Sequence, residues 1–347
     1  MRNAEELLVQ LQKNRSLSLD EYAELIRAQT PALAQKAAEL AQKEQKKIYG
    51  NRVFVRGLIE IGNLCRNDCL YCGIRKSNTA CNRYRLTEEQ ILGCCDEGYA
   101  LGFRTFVLQG GEGGFSVDFI CETVKKIKAK FPDCAVTLSL GEFEKRDYQK
   151  MFDAGADRYL LRHETADKAH YEKLHPSGMS FEHRMQCLRD LKEIGFQVGC
   201  GFMVGSPFQA AQASAKDLKF IEEFRPDMCG IGPFIPHRNT PFKNEAPGTV
   251  RQTCYLLSLL RLIRPNLLLP ATTALGTLDP IGREKGILAG ANVVMPNLSP
   301  VAVRKKYELY DNKLFSGAES AQCLKQLTEK IRSVGYRIVT DRGDIKK

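Results

Sequence analysis

Cys65, Cys69 and Cys72 form the stretch Cys65-Arg-Asn-Asp-Cys69-Leu-Tyr-Cys72, directly after an apolar run at 53–61. Three thiolates spaced C-x3-C-x2-C on one loop can hold three irons of a 4Fe–4S cube and leave the fourth iron open to a cofactor or substrate. Structural zinc is the alternative, but it wants a fourth protein ligand, usually as two Cys/His pairs split by a longer loop. No partner pair follows at that spacing.

The elements that must position this loop repeat along the chain. Apolar runs recur at 53–61, 105–109, 135–140, 158–162, 198–204, 228–235, 266–270 and 292–296, with helical patterns between them. Continuous apolar runs suit strands buried on both faces, as in parallel sheets. Strands alternating with helices predict an α/β fold, a (β/α)8 TIM-type barrel, with a doubly wound open sheet as the alternative. Residues 1–50 read as an N-terminal helical extension packed on the barrel. Ser18 and Glu21 fit a capping box, and Thr30-Pro31 fits an N-cap followed by proline at the first helical position. The barrel is expected over 51–300, and 301–347 as short C-terminal additions that close it, including a terminal strand near 335–341.

Barrel active sites form at the carboxyl ends of the strands. The cysteine loop follows the first strand, and Gln109-Gly110-Gly111-Glu112 the second. Glu142, Arg162 and Glu164, Gly201 and Gly205, Thr272 and Thr273, and Met295 fall at the ends of later ones. Polar and glycine-rich signals therefore gather at one mouth.

The chain has 347 residues, 13 cysteines and a net charge of +10. An odd cysteine count in a long chain without a secretory leader argues against an extracellular disulfide framework and for a reducing, cytoplasmic setting. No segment approaches the roughly 20 apolar residues of a membrane span. Arginine-rich arms and aromatic-basic alternation are missing, so nucleic acid is not an expected partner. The positive charge favours anionic ligands or partners, although lysines spread along helices, as at 125–130, more simply face water.

A C-x3-C-x2-C loop after the first strand of such a barrel resembles the radical S-adenosylmethionine (SAM) superfamily. The resemblance implies one 4Fe–4S cluster on Cys65, Cys69 and Cys72, with the open iron chelated by SAM. Reduction then cleaves SAM to methionine and a 5′-deoxyadenosyl radical. It also implies that Tyr71 packs near the adenine, that Gly110, Gly111 and Glu112 meet the methionyl end, and that Gly201 lies near the adenine. Glu142 and Glu164 would accept ribose hydroxyls and Arg184 would pair with the SAM carboxylate. Loop packing for Tyr71 and structural ion pairs for the charged residues are the plain alternatives.

The segments at 54–60, 65–75, 84–87, 102–112, 158–165, 232–237 and 269–277 are similar to the HydE family of FeFe-hydrogenase maturases, and the similarity runs from about residue 50 to Asn312. Methylornithine synthase is a sister family and biotin synthase a more distant one. The resemblance implies a small anionic substrate, a cysteine-bound iron carbonyl–cyanide complex, used in assembly of the hydrogenase H-cluster. An amino-acid-like substrate is the alternative under the mutase reading. Arg162, Thr272 and Thr273 would clamp the substrate carboxylate, with Met295, Tyr307 and Tyr310 lining the pocket. Arg162 could instead pair with Glu164 or Glu60, and the threonines could cap the following helix. A ferredoxin or flavodoxin would donate electrons, and other hydrogenase maturases are further partners. A noncatalytic iron–sulfur scaffold is the reading from a different class; it would not need the SAM-facing set.

Some family members carry three further cysteines near the C-terminus. The corresponding positions here are Phe315, Cys323 and Gln326. One thiol cannot hold a cluster, so no second cluster is expected. The remaining cysteines, including Cys94, Cys95, Cys121, Cys134 and Cys229, read as buried small apolar residues.

Overall fold

A computed structural model describes residues 3–315 and 317–346. The outer ends of the expected 1–50 and 301–347 segments, and residue 316, lie outside the described residues. Strands are β1 (Arg52–Val55), β2 (Gly57–Gly62), β3 (Thr105–Gly110), β4 (Ala135–Ser139), β5 (Arg158–Leu160), β6 (Gln197–Cys200), β7 (Met203–Val204), β8 (Met228–Cys229), β9 (Gly232–Pro233), β10 (Val293–Val294) and β11 (Arg337–Val339). All pairings between them are parallel: β2, β3, β4, β5, β6 and β8 lie side by side in that order, and β10, β1 and β11 form a second group. Single bridges from Met228 to Leu268 and from Pro270 to Val293 carry the ring from β8 round to β10. The result is a closed barrel rather than an open doubly wound sheet.

Two apolar runs behave differently from simple strands. The run at 53–61 divides at Arg56, where the chain exchanges its neighbour β11 for β3 while the segment continuing from β10 stays alongside and bridges Leu58 to Asn297. The run at 266–270 makes only isolated bridges, because Pro265 and Pro270 bracket it and offer no backbone N–H to a ladder.

Helices α1 (Ala4–Asn14), α2 (Leu19–Arg27) and α3 (Pro31–Tyr49) precede the barrel, and α4 (Glu88–Ala100), α5 (Val117–Lys130), α6 (Lys145–Asp153), α7 (Lys168–Leu174), α8 (Phe181–Ile194), α9 (Ala211–Phe224) and α10 (Val250–Ile263) surround it. The Ser18–Glu21 and Thr87–Gln90 capping boxes both form, and Thr30 caps α3 with Pro31 at its first position. The helical extension packs on α9 and α10: Tyr22 Oη donates to Glu222 at 2.7 Å, and Arg15 donates to the Leu262 carbonyl at 3.0 Å.

The C-terminal residues touch both ends of the barrel. At the mouth, Gly73 N donates to Leu309 O at 2.8 Å and Asp311 N to Pro236 O at 3.1 Å, so the chain around 305–313 spans from the cysteine loop to the segment after β9. Lys313 reaches inward to the fully buried Glu60, which also accepts from Asn297 Nδ2 at 2.8 Å. At the opposite end, β11 pairs with β1, and the following residues cross the floor. Arg342 O accepts from Thr105 Oγ1 at 2.7 Å and from the fully buried Arg158 at 2.8 Å, and Arg158 is also paired with Asp344.

Candidate active site

The cysteine loop leaves β2 at Gly62 and is wired by side chains to its own carbonyls. The Arg83 guanidinium donates to the carbonyls of Asn63, Ile74, Arg75 and Asn78 at 2.6–3.2 Å. Arg75 grips Asp68 through two bonds of 2.7 and 2.6 Å, and Asn63 Nδ2 donates to Lys306 O at 2.6 Å. Cys65, Cys69 and Cys72 are free thiols, partly exposed. Burial, and in part the three thiols' own mutual repulsion, pushes Cys69 up to about 12 and Cys72 well above the usual thiol range. A bound cation reverses that balance, since coordination requires the thiolate.

The expected SAM-facing residues come together beside this loop. Gly111 packs against it: a Cβ there would meet Leu64 O at 2.1 Å. Gly110 is less tight, with its nearest contact, Leu140, at 3.2 Å. Glu112 pairs with Arg66 at 2.9 Å, and its carboxylate overlies Gly141, whose φ of +88° and missing side chain leave the space. Arg184, on α8, approaches Glu142 to 2.5 Å and Glu112 to 3.8 Å and donates to Arg162 O at 3.2 Å. Burial alone would depress Arg184, but Glu142, Tyr171 and Glu112 hold it well above its usual value. The plain alternative for Glu142 and Arg184, an ion pair with each other, is thus present in the structure.

Glu164 adopts a left-handed backbone, φ +64°, rare for a residue with a side chain. It is held on both sides: Glu164 N donates to Gly201 O at 3.0 Å and Met203 N to Glu164 O at 3.1 Å. Gly201 must be glycine because a Cβ would lie 2.0 Å from Gly230 O. Beneath it, Gly201 N donates to His163 Nδ1 at 3.3 Å, which leaves the proton on Nε2, facing the buried Asp217 at 3.3 Å. Burial pushes His163 down to about 3, so the ring is neutral.

Tyr71 is fixed by residues the sequence did not single out. His175 is buried and pushed down to about 3; its Nδ1–H donates to Tyr171 O at 2.9 Å, so Nε2 accepts from Tyr71 Oη at 3.1 Å. Tyr171 stacks on the same imidazole at 3.9 Å. Met179 Sδ lies 3.8 Å from Cys69 Sγ. Both His175 and Met179 sit beyond the fourth strand, where no motif flags them.

The expected substrate residues divide. Arg162 pairs with Glu164 at 3.1 Å, as its alternative reading allowed. Thr272 stands at the N-cap of α11 (Thr273–Leu278) without making a cap bond; its buried hydroxyl has no hydrogen-bond partner. Thr273 instead donates to Glu319 at 2.8 Å, and Glu319 pairs with Arg283. Met295 packs against the buried cluster of Tyr49, Phe54, Met228, Leu268 and Val293. Tyr307 is buried and accepts from Gln109 Nε2 at 3.4 Å. Tyr310 lies near Thr277, and burial raises its hydroxyl above the usual range.

This chain fits a 4Fe–4S cluster with SAM beside it. Three free thiols share one loop; beside it Glu142 Oε1 faces Arg184 Nε at 2.5 Å and Glu164 Oε2 faces Arg162 Nη2 at 3.1 Å, while Arg162 Nε is buried with no partner. Unsatisfied buried polar atoms are costly, and an amino acid and a ribose carry the complementary groups.

A parallel barrel with a three-thiol loop at its mouth, facing buried carboxylates and an arginine, defines an enzyme that carries out chemistry on an iron–sulfur cluster. Residues 59–221 match the radical SAM superfamily. The [FeFe] hydrogenase maturase subunit HydE of Thermotoga maritima is 43% identical over 310 residues, covering 89% of this chain and 88% of that one. The 3-methylornithine synthase of Methanosarcina acetivorans is 28% identical over 92% of the chain and 89% of its own length. Among solved structures, methylornithine synthase PylB superposes with a TM-score of 0.83 at 25% identity, over 96% of this chain and 97% of that one. The maturase HydG has the same fold, with a TM-score of 0.81 at 20% identity over 97% of this chain and 76% of its own. The chain belongs to the radical SAM superfamily and, within it, to the family of the hydrogenase maturase HydE.

Proposed function

We propose that this radical SAM enzyme acts on a cysteine-bound iron carbonyl–cyanide precursor during assembly of the FeFe-hydrogenase H-cluster. The observation that carries this reading is the charged set beside the three-thiol loop, with Glu112, Glu142 and Arg184 buried and Arg162 and Glu164 half-buried; the 43% identity to HydE supports the substrate class. When bound, the cluster and SAM supply one-electron C–S cleavage and a 5′-deoxyadenosyl radical.

The chain's own residues position and select. Cys65, Cys69 and Cys72 hold the irons, and Gly110 and Gly111 let backbone approach the amino-acid end of SAM. Glu112 receives its ammonium and Arg184 its carboxylate, while Glu142 and Glu164 accept ribose hydroxyls. Tyr71, locked by His175, would pack near the adenine, as would Gly201. Arg162 and Thr272 offer donors to a substrate carboxylate in a pocket lined by Met295, Tyr307 and Tyr310. Thr273 acts one step behind, through Glu319. Tyr307, Tyr310 and Lys313 belong to the segment that covers the mouth and keeps water from the radical.

The test is anaerobic reconstitution followed by hydrogenase maturation. About four irons per chain, the count of one cubane, with 5′-deoxyadenosine formation and maturation of a hydrogenase apoprotein given the synthetic iron–cysteine complex, is the expected result. About eight irons would contradict the single cluster. The superposition on PylB favours a second reading, a carbon-skeleton mutase. Accumulation of 3-methylornithine, with no response to the iron complex, would select it.

A further inference from the structure

Besides the face turned to the barrel mouth, the cysteine loop has a flank that borders a polar cavity of about 430 Å³. Gly73, Cys81, His237, Lys305, Lys306 and Glu308 are among its lining residues. Gly73 follows the ligand Cys72 directly and is pressed into the wall: a Cβ there would lie 2.2 Å from Glu308 O and 2.5 Å from His237 Cδ2. The cavity therefore reaches within one peptide unit, along the chain, of a cluster ligand.

The charges on this wall are unevenly compensated. Arg238 is more than offset by Glu308 at 3.2 Å and Asp311 at 2.8 Å, which leaves one negative charge there against the two lysines of the rim. Lys305 and Lys306 form no ion pair among the described residues; Lys305 only overlies the Phe315 ring at 5.3 Å. Lys76, exposed on the cysteine loop itself, is likewise without a carboxylate. The densest lysine run, on α5, behaves otherwise: Lys125, Lys126, Lys128 and Lys130 pair with Glu122, Glu88, Asp157 and Asp96. His237, Glu308 and Asp311 lie close enough to suggest a cation site, but the hydrogen bonding argues against it. Asn239 N donates to His237 Nδ1 at 3.1 Å, so the imidazole proton is on Nε2, facing the two carboxylates at 3.8 and 3.9 Å. A metal would need that nitrogen bare. The group instead stiffens the wall.

Reductive cleavage takes one electron per SAM, which must come from another molecule. We propose that the Lys305–Lys306 rim and the cavity beside Gly73 dock an acidic one-electron carrier protein, which passes its electron to the cluster from the Cys72 side. The inference rests on the radical SAM reading above. The cavity is too small for a folded partner but admits its protruding carboxylate side chains, and the lysines steer and orient the encounter. The carrier is oxidised by one electron while one C–S bond of SAM breaks, giving methionine and a 5′-deoxyadenosyl radical. The expected SAM-facing residues Glu112, Glu142, Glu164 and Arg184 do not line this cavity, so carrier and cofactor would not compete for it.

The experiment compares reconstituted wild type with Lys305→Glu/Lys306→Glu and with a control, Lys36→Glu/Lys43→Glu, on exposed α3 positions far from the loop. Two measurements are made: direct binding of reduced flavodoxin, and 5′-deoxyadenosine formation driven by flavodoxin or by dithionite. The rim variant is expected to bind flavodoxin about tenfold more weakly, to lose a similar factor in flavodoxin-driven kcat/KM and most of its salt dependence, and to keep its dithionite-driven rate. The control should match wild type. Equal flavodoxin affinity in rim variant and wild type, or equal losses in rim variant and control, would overturn the proposal. Lys305→Gln/Lys306→Gln provides the same comparison with less perturbation, should the charge reversal lower iron content. Absence of dithionite-driven cleavage in wild type would instead count against the radical SAM reading, and the binding comparison would still decide the docking site.

Discussion

Gly111 lies against the carbonyl oxygen of Leu64, so close that a β-carbon would stand 2.1 Å from it. Backbone is in contact with backbone here, and no flexible side chain can give way. The strand-end glycine thus sets the position of the residue that precedes Cys65.

Gly111→Ala is expected to displace the cysteine loop while leaving the barrel folded. SAM cleavage should fall about 100-fold, the cost typical of misplacing reacting groups by about 1 Å. Iron content, the visible charge-transfer band and 5′-deoxyadenosine assays check this against an unchanged far-UV circular dichroism spectrum.

Arg162→Lys separates two roles. Lysine keeps the charge beside Glu164, 3.1 Å away in the native pair, but loses the planar fork. If Arg162 grips the substrate, iron loading and the apparent KM for SAM stay unchanged while substrate-dependent turnover drops about 10- to 100-fold, the worth of a charge-assisted bond. A raised KM for SAM with normal substrate dependence would assign Arg162 to Glu164 alone.

The neighbouring threonines should respond differently. Thr272→Val removes a hydroxyl that has no partner within the protein, so stability is expected to hold while turnover falls. Thr273→Val strips the 2.8 Å bond from Glu319 and is expected to cost roughly 1–3 kcal/mol of stability. Thermal melts and steady-state rates on both variants test the distinction.

Asp344→Asn probes the barrel floor. Arg158, Gln197 and Arg342 together hold the Asp344 carboxyl down at about 2, against the opposing effect of burial. A depressed carboxyl stabilises above its unfolded value, about 3.9, and that contribution fades as pH falls towards the folded value. Wild type should therefore outlast the variant in urea melts above about pH 4 and lose the advantage as pH drops towards 2.

The barrel was legible in the chain because its strands are buried on both faces and read as uninterrupted apolar runs. Where that failed, long-range partners decided. Arg56 falls inside an apolar run, yet the strand changes neighbours there; two prolines reduce the seventh run to isolated bridges. The cysteine spacing was readable without the fold, since three residues on one loop are local in sequence. His175 behind Tyr71, Arg83 threading the loop and Glu319 behind Thr273 were not legible, because each meets its partner only after folding and no spacing rule connects them. The left-handed Glu164 was hidden for a related reason: its backbone is imposed by Gly201 and Met203 from the next strand.

The pairing of β11 with β1, and of Leu309 with Gly73, has a consequence for the order in which the molecule is made. The loop cysteines are synthesised well before the residues that cover them at 305–313 and before the strand β11 that seals the edge of β1. A nascent chain thus holds an open strand edge, which is prone to adventitious pairing, and an uncovered thiol loop until those later residues emerge. Iron delivered during translation would meet its ligands before the cover arrives.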